Sequence, residues 1–181
     1  MKNLLKTLLF IPFIGGCTSI NVNNYPENWA TIDSNKTKYI NGSFQCKGES
    51  KSPYSKNIIS SGYLVYLLEV DQENYRKCQS VSFTQVDTSS LTINIQYENK
   101  VLTKTLNNNV DYEYKDGWYF FSRKKNHPYS FGAYGIGTQR VSFALNASDN
   151  LVAKTSSSSV GVILVIPLIN VDNRWNVFNR I

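Results

Sequence analysis

The second half of the chain alternates apolar and polar residues with a period of two, the mark of half-buried β-strands. Val81, Phe83 and Gln85 alternate with Ser82 and Thr84, and Leu91, Ile93, Ile95 and Tyr97 alternate with Thr92, Asn94 and Gln96. Glu98-Asn99-Lys100 reads as a hairpin turn into Val101–Leu106. After the polar break at Asn107–Asn109, Val110–Tyr114 and Gly117–Arg123 flank Lys115-Asp116-Gly117, and Asp-Gly is a strong short-range hairpin signal. Further strands are read over Gln139–Leu145, Leu151–Lys154, Val160–Ile166 and Trp175–Phe178, with Asp149-Asn150 and Ser156–Ser159 as turns. The run from Val160 to Ile166 is apolar on both parities and ends at Pro167, which predicts a central strand covered on each side.

Ahead of Cys78 the pattern changes. Tyr39–Cys46 reads as a first strand with a kink or bulge at Gly42. Between Ser60 and Val70, Tyr63, Leu64, Leu67 and Leu68 recur three and four apart, which predicts a helix; Gly62 and Val65 keep a strand as the competing reading. The fold class expected from the whole is mainly β: a single antiparallel meander curling into a small barrel or strongly curved sheet, with one short helix.

A different signal stands at the start. Lys2 and Lys6 flank an apolar run from Leu4 to Ile14, followed by Gly15, Gly16 and Cys17, the layout of a cleaved secretion signal. The run is about half of the ~20 residues a membrane-spanning helix needs. Ile14-Gly15-Gly16-Cys17 resembles the lipobox of bacterial lipoproteins, which implies lipid attachment at the Cys17 sulfur. Two or three acyl chains anchor durably, since each buried CH₂ contributes ~0.8 kcal/mol. The expected organisation is a signal peptide over 1–16, a lipidated tether over 17–38 and one β-rich domain over 39–181.

Ile40-Asn41-Gly42-Ser43-Phe44, Asp116-Gly117-Trp118, Asn150–Lys154, Ile163–Pro167 and Arg174–Phe178, with the lipobox, resemble a group of small bacterial envelope lipoproteins. The resemblance implies an envelope location and brings no activity with it. Thr18 is not the aspartate that retains such proteins at an inner membrane, so a cell with two membranes would carry this one on the periplasmic face of the outer membrane.

Composition adds constraints. The chain has 19 basic and 13 acidic residues, and losing Lys2 and Lys6 leaves 17 against 13, a modest excess spread along the sequence. Its densest cluster, Arg123-Lys124-Lys125, is too small for a nucleic-acid face, and no nucleic-acid partner is expected. In an exported chain Cys46 and Cys78 form a natural disulfide pair, with two separate buried thiols as the competing reading. No metal site or cofactor is expected: His127 is the sole histidine, and neither cysteine has ligand spacing.

Candidate chemistry is sparse. His127 lies in a polar stretch that reads as an exposed turn, and no Gly-x-Ser-x-Gly elbow occurs. Glu69, Asp71 and Glu73, and Asp111, Glu113 and Asp116, read as solubilising charges rather than a glycosidase pair. Gly132–Gly137 lacks the Lys-Ser/Thr of a phosphate loop and reads as a loop between strands. No catalytic residue is assigned. The aromatic load of one hairpin is more informative: Tyr112, Tyr114, Trp118, Tyr119, Phe120 and Phe121 sit on its two arms, so alternate members face opposite sides. Trp118, Tyr119, Phe121 and the C-terminal Trp175 are the candidate binding surface. The function expected is a lipid-anchored, non-catalytic binding module for an envelope protein or polymer; the alternative is a carrier of an apolar or lipid ligand inside a barrel, and an envelope hydrolase is a distant third.

Overall fold

The computed structural model describes residues 39–51, 62–128, 133–163 and 166–181; the signal segment, Cys17 and the tether lie outside them. The fold is mainly β with one short helix. Strands β1 (Gly42–Gln45), β3 (Ser80–Thr84), β4 (Ser90–Gln96) and β5 (Val101–Asn107) form one antiparallel sheet in the order β1-β3-β4-β5. Strands β2 (Glu49–Lys51), β6 (Glu113–Lys115), β7 (Trp118–Pro128), β8 (Ala133–Leu145), β9 (Leu151–Ile163) and β10 (Ile166–Phe178) form a second, in the order β2-β10-β9-β8-β7-β6. Helix α1 spans Leu64–Leu68.

Two open sheets replace the single meander expected from the sequence, and among the described residues neither closes into a barrel. The break falls between β5 and β6. There Asn109 takes a left-handed conformation (φ 63°), and the Asp111 carboxylate accepts a hydrogen bond from the Asn107 amide at 2.8 Å. This compact turn carries the chain from one sheet to the other. Each sheet then has one apolar face, and the two faces bury each other, as in a two-layer β architecture.

The shared core is well filled. Phe44, Val81, Phe83, Leu91, Ile93 and Ile95 from the first sheet meet Tyr119, Phe121, Val141, Phe143, Leu151 and Phe178 from the second. Burial along β4 alternates without a fault, as its period-two pattern predicts. Leu64, Val65, Leu67 and Leu68 of α1 join the same core; the helix stops at Glu69, whose φ of 53° is left-handed. Cys46 and Cys78 are disulfide-bonded, which ties the end of β1 to the segment entering β3.

Three further expectations change. The apolar run from Val160 is not one central strand: β9 ends at Ile163, β10 begins at Ile166, and these two residues pair. Ser156–Ser159 is not a turn but the middle of β9, paired on both sides with β8 and β10. Gly135, Gly137 and His127 likewise lie in strands rather than loops, with His127 paired to Gly135. Glycine, serine and histidine have no strand preference of their own; ladders on both sides hold the glycines and serines extended, and the single ladder to β8 holds His127.

Candidate binding surface

The β6–β7 hairpin turns at Asp116 and Gly117, with φ of 51° and 79°. Positive φ at both central residues is the type I′ geometry that Asp-Gly favours, and its twist matches the flanking strands. The turn sets the register Lys115↔Trp118, Tyr114↔Tyr119 and Glu113↔Phe120. Every aromatic of the hairpin is thereby assigned to one side of the sheet.

The inner side belongs to the core. Tyr119 is fully buried, its ring 4.8 Å from Tyr114 and 5.7 Å from Tyr112; Phe121 packs on Phe143 at 5.5 Å. The Tyr119 hydroxyl donates to the Gln85 side-chain oxygen and accepts from the Ile40 amide at 3.2 Å. Gln85 and Asn41 bond reciprocally: the Gln85 amide donates to Asn41 Oδ1 at 2.6 Å and Asn41 Nδ2 donates to the Gln85 carbonyl at 3.0 Å. This chain of hydrogen bonds joins the two sheets, while Gln85 Nε2 within it is buried without a hydrogen-bond partner. Burial, the largest influence, pushes the Tyr119 phenol far above its ordinary range and keeps it neutral. Tyr119 and Phe121, at 0% and 5% exposure, are therefore core residues and not part of a binding surface.

The outer side is different. Trp118 and Phe120 are half-buried and stack at 6.4 Å, and Trp118 meets Trp175 edge-on at 6.5 Å. Trp175, Val152 and Val177 form a second, smaller apolar cluster against which Trp118 packs. Trp175 is itself only 7% exposed, so it supports the surface more than it presents it.

Charge frames these rings. The Arg140 guanidinium lies over Phe120 at 4.2 Å and forms an ion pair with Glu113 at 3.2 Å, while Lys154 reaches over the Trp175 ring at 5.2 Å. Cation–π contacts of this kind contribute ~0.5–1 kcal/mol at exposed sites. Beside Phe120 a depression of about 300 Å³ is lined by Asn109, Val110, Asp111, Tyr112, Glu113 and Phe120. Val110 stands on its rim, 81% exposed. The continuous strip from Val110 through Phe120 and Trp118 to Lys154 offers ring faces and aliphatic surface edged by both signs of charge.

Val110, Phe120, Arg140, Lys154 and Glu113 of this strip escaped the sequence-based choice. Phe120 shares the parity of Trp118, a signal that was legible. Arg140, Lys154 and Glu113 arrive from other strands, and only the register brings them there.

The carboxylates read from the sequence serve local structure. Burial, the largest influence on Asp71, pushes its carboxyl up, but hydrogen bonds from Asn74 and Tyr97 and the charge of Lys100 together hold it below the usual range. Asp111 caps the turn before β6, and Glu113 pairs with Arg140. Among the described residues no three metal-ligating side chains come together, and no helix is long and apolar enough to cross a membrane. No family model, no curated protein and no solved structure matches this chain.

Proposed function

We propose that the protein is a lipid-anchored, non-catalytic binding module of the bacterial cell envelope, which holds a polymer or protein partner on the outer face of its six-stranded sheet. Anchoring rests on the Leu4–Ile14 run and on Gly15-Gly16-Cys17. The binding role rests on one observation: half-buried Trp118 and Phe120 lie side by side on a sheet whose opposite face gives its neighbouring residues Tyr119, Phe121 and Phe143 to the core. Aromatic faces of this kind stack on the apolar faces of sugar rings or on apolar side chains. Arg140, Glu113 and Lys154 then supply hydrogen bonds and charge around the rim, a division of labour common to binding sites.

The test compares Trp118→Ala and Phe120→Ala with the unaltered chain, first for melting temperature and then for capture of partners from an envelope extract and co-sedimentation with isolated cell-wall polymer. The proposal expects near-normal melting with loss of capture or co-sedimentation. Unchanged retention of every partner in both variants would refute it.

A further inference from the structure

The outward faces of the two sheets differ in burial. On the first sheet the outward residues of the central strands, Ser82 on β3 and Thr92 and Asn94 on β4, are only half-buried, as expected of a face turned to water. On the second sheet the corresponding residues are buried. Ala144, Val152 and Val177 form one row across β8, β9 and β10, with Val152 at 0% exposure, and Asn173 and Trp175 follow along β10 at 7% each.

That burial has no source among the described elements. The first sheet and α1 pack in the core on the opposite side, and the apolar cluster of the outward face draws Trp118, Val152, Trp175 and Val177 from the second sheet itself. A single layer of outward side chains does not bury its own outermost members, yet Trp175 and Asn173 are as buried as core residues. These exposures are those of one chain alone, so the cover belongs to the same chain.

We infer that residues 18–38 lie across the outward face of the second sheet, with Trp29 against the Val152, Trp175 and Val177 cluster, and that a partner of this face has to displace them. Reach and point of entry fit. The chain enters the described fold at Tyr39, whose ring is 5.8 Å from Tyr114 of β6, the edge strand beside Trp118 and Phe120. From β6 to β10 the sheet is four strand spacings wide, about 19 Å at ~4.8 Å each. Residues 18–38 extend to roughly 70 Å, and Trp29, ten residues before Tyr39, can reach any point of that width.

Composition fits as well. Ile20, Val22, Tyr25, Trp29 and Ile32 give the segment apolar groups to lay on the cluster. Glu27 and Asp33, on either side of Trp29 and Ile32, are opposite in sign to Lys154, which reaches over the Trp175 ring. The segment is then a built-in competitor, since the apparent affinity for a partner falls with the fraction of chains whose face is open. The docking stands on burial and reach, and only the displacement rests on the proposed function.

The test uses the purified full chain, with no partner added and a photoreactive residue in place of Lys154, which is half-buried and paired with Trp175 in the middle of the covered patch. Val101, exposed on the first sheet, is the control position. Irradiation, proteolysis and mass spectrometry should join position 154 to a peptide within 18–38, and position 101 to none. A mixture of isotopically light and heavy chains should give light-to-light and heavy-to-heavy products alone. Trp29→Ala should lower the yield from 154 severalfold and raise the oxidation of Trp118 and Trp175 by hydroxyl radicals, while the domain still melts cooperatively. Absence of a product within 18–38, products confined to another part of the chain, or light-to-heavy products, which mark a second copy as the cover, would each overturn the inference. Partner capture should tighten severalfold in Trp29→Ala. Failure of the proposed function reads differently: neither chain then captures a partner, while the product between 154 and 18–38 still forms and upholds the docking.

Discussion

Trp118 and Tyr119 are adjacent in sequence yet belong to different parts of the molecule. Tyr119 has no exposed surface, is packed between Tyr112 and Tyr114, and is bonded through its hydroxyl to Gln85 and Ile40 of the opposite layer. Trp118 stacks on Phe120, leans on Trp175 and is only half-buried. One step along a strand changes the work of an aromatic from joining two sheets to presenting a surface. The two faces should accordingly differ in what a substitution damages: stability on one, recognition on the other.

The largest effect belongs to the inner face. Tyr119→Ala should destabilise by ~3–5 kcal/mol, a sizeable part of the ~5–15 kcal/mol that holds a typical domain together. Tyr119→Phe keeps the ring and loses only the hydroxyl, so its cost should fall to ~1–3 kcal/mol, most of it from leaving Gln85 without its donor. Urea unfolding of the two variants separates packing from hydrogen bonding. Equal losses in both would mean that the Asn41–Gln85–Tyr119 chain, rather than the ring, joins the layers.

Next comes the disulfide. Cys46 and Cys78 are 32 residues apart, and the entropy removed from the unfolded chain by closing that loop corresponds to about 3.7 kcal/mol. Replacing both by serine should lower the urea midpoint accordingly and leave any partner bound by the outer face still bound below the transition.

Alkaline pH should weaken the inner face selectively. Burial raises the phenol of Tyr119, and burial together with the Asp71 carboxylate raises that of Tyr97, both well above the ordinary value near 10. The folded state therefore keeps protons that the unfolded state gives up. The stabilisation is complete below about pH 10 and declines as pH rises beyond it. Unfolding free energy measured between pH 8 and 11 should fall at the upper end, and Tyr119→Phe should reduce the slope. A slope unaltered by that variant would remove Tyr119 from the account.

The smallest effect is on the outer face. Arg140 and Glu113 are each about half exposed, at 48% and 55%, so breaking their ion pair by Glu113→Gln should cost ~0.2–1 kcal/mol and less in high salt. If the strip is a binding surface, the same change should alter partner affinity more than it alters the melting temperature.

The sequence made some of this division legible. Alternation through Val81–Gln85 and Leu91–Tyr97 marks β3 and β4 and their buried parity, and Asp116-Gly117 marks the hairpin and its register. The helix showed in the spacing of Tyr63, Leu64, Leu67 and Leu68, although only Leu64–Leu68 is helical. What remained hidden depends on neighbours. Parity separates Trp118 and Phe120 from Tyr119 and Phe121, but which set turns inward follows from a second sheet that local pattern does not announce. Arg140 and Lys154 come to the aromatic strip through two ladders. Ser156–Ser159 extends because strands flank it on both sides, and the Ile163↔Ile166 hairpin has no Asn-Gly or Asp-Gly to advertise it.

The most direct test of the outer face as a binding surface is site-specific photo-crosslinking in the cells that make the protein, with a photoreactive residue at Phe120 and, as control, at Val101 on the exposed edge strand of the other sheet. The account predicts a discrete adduct to an envelope protein or polymer from position 120 and none from 101. No adduct at 120, or the same adducts from both positions, would contradict it.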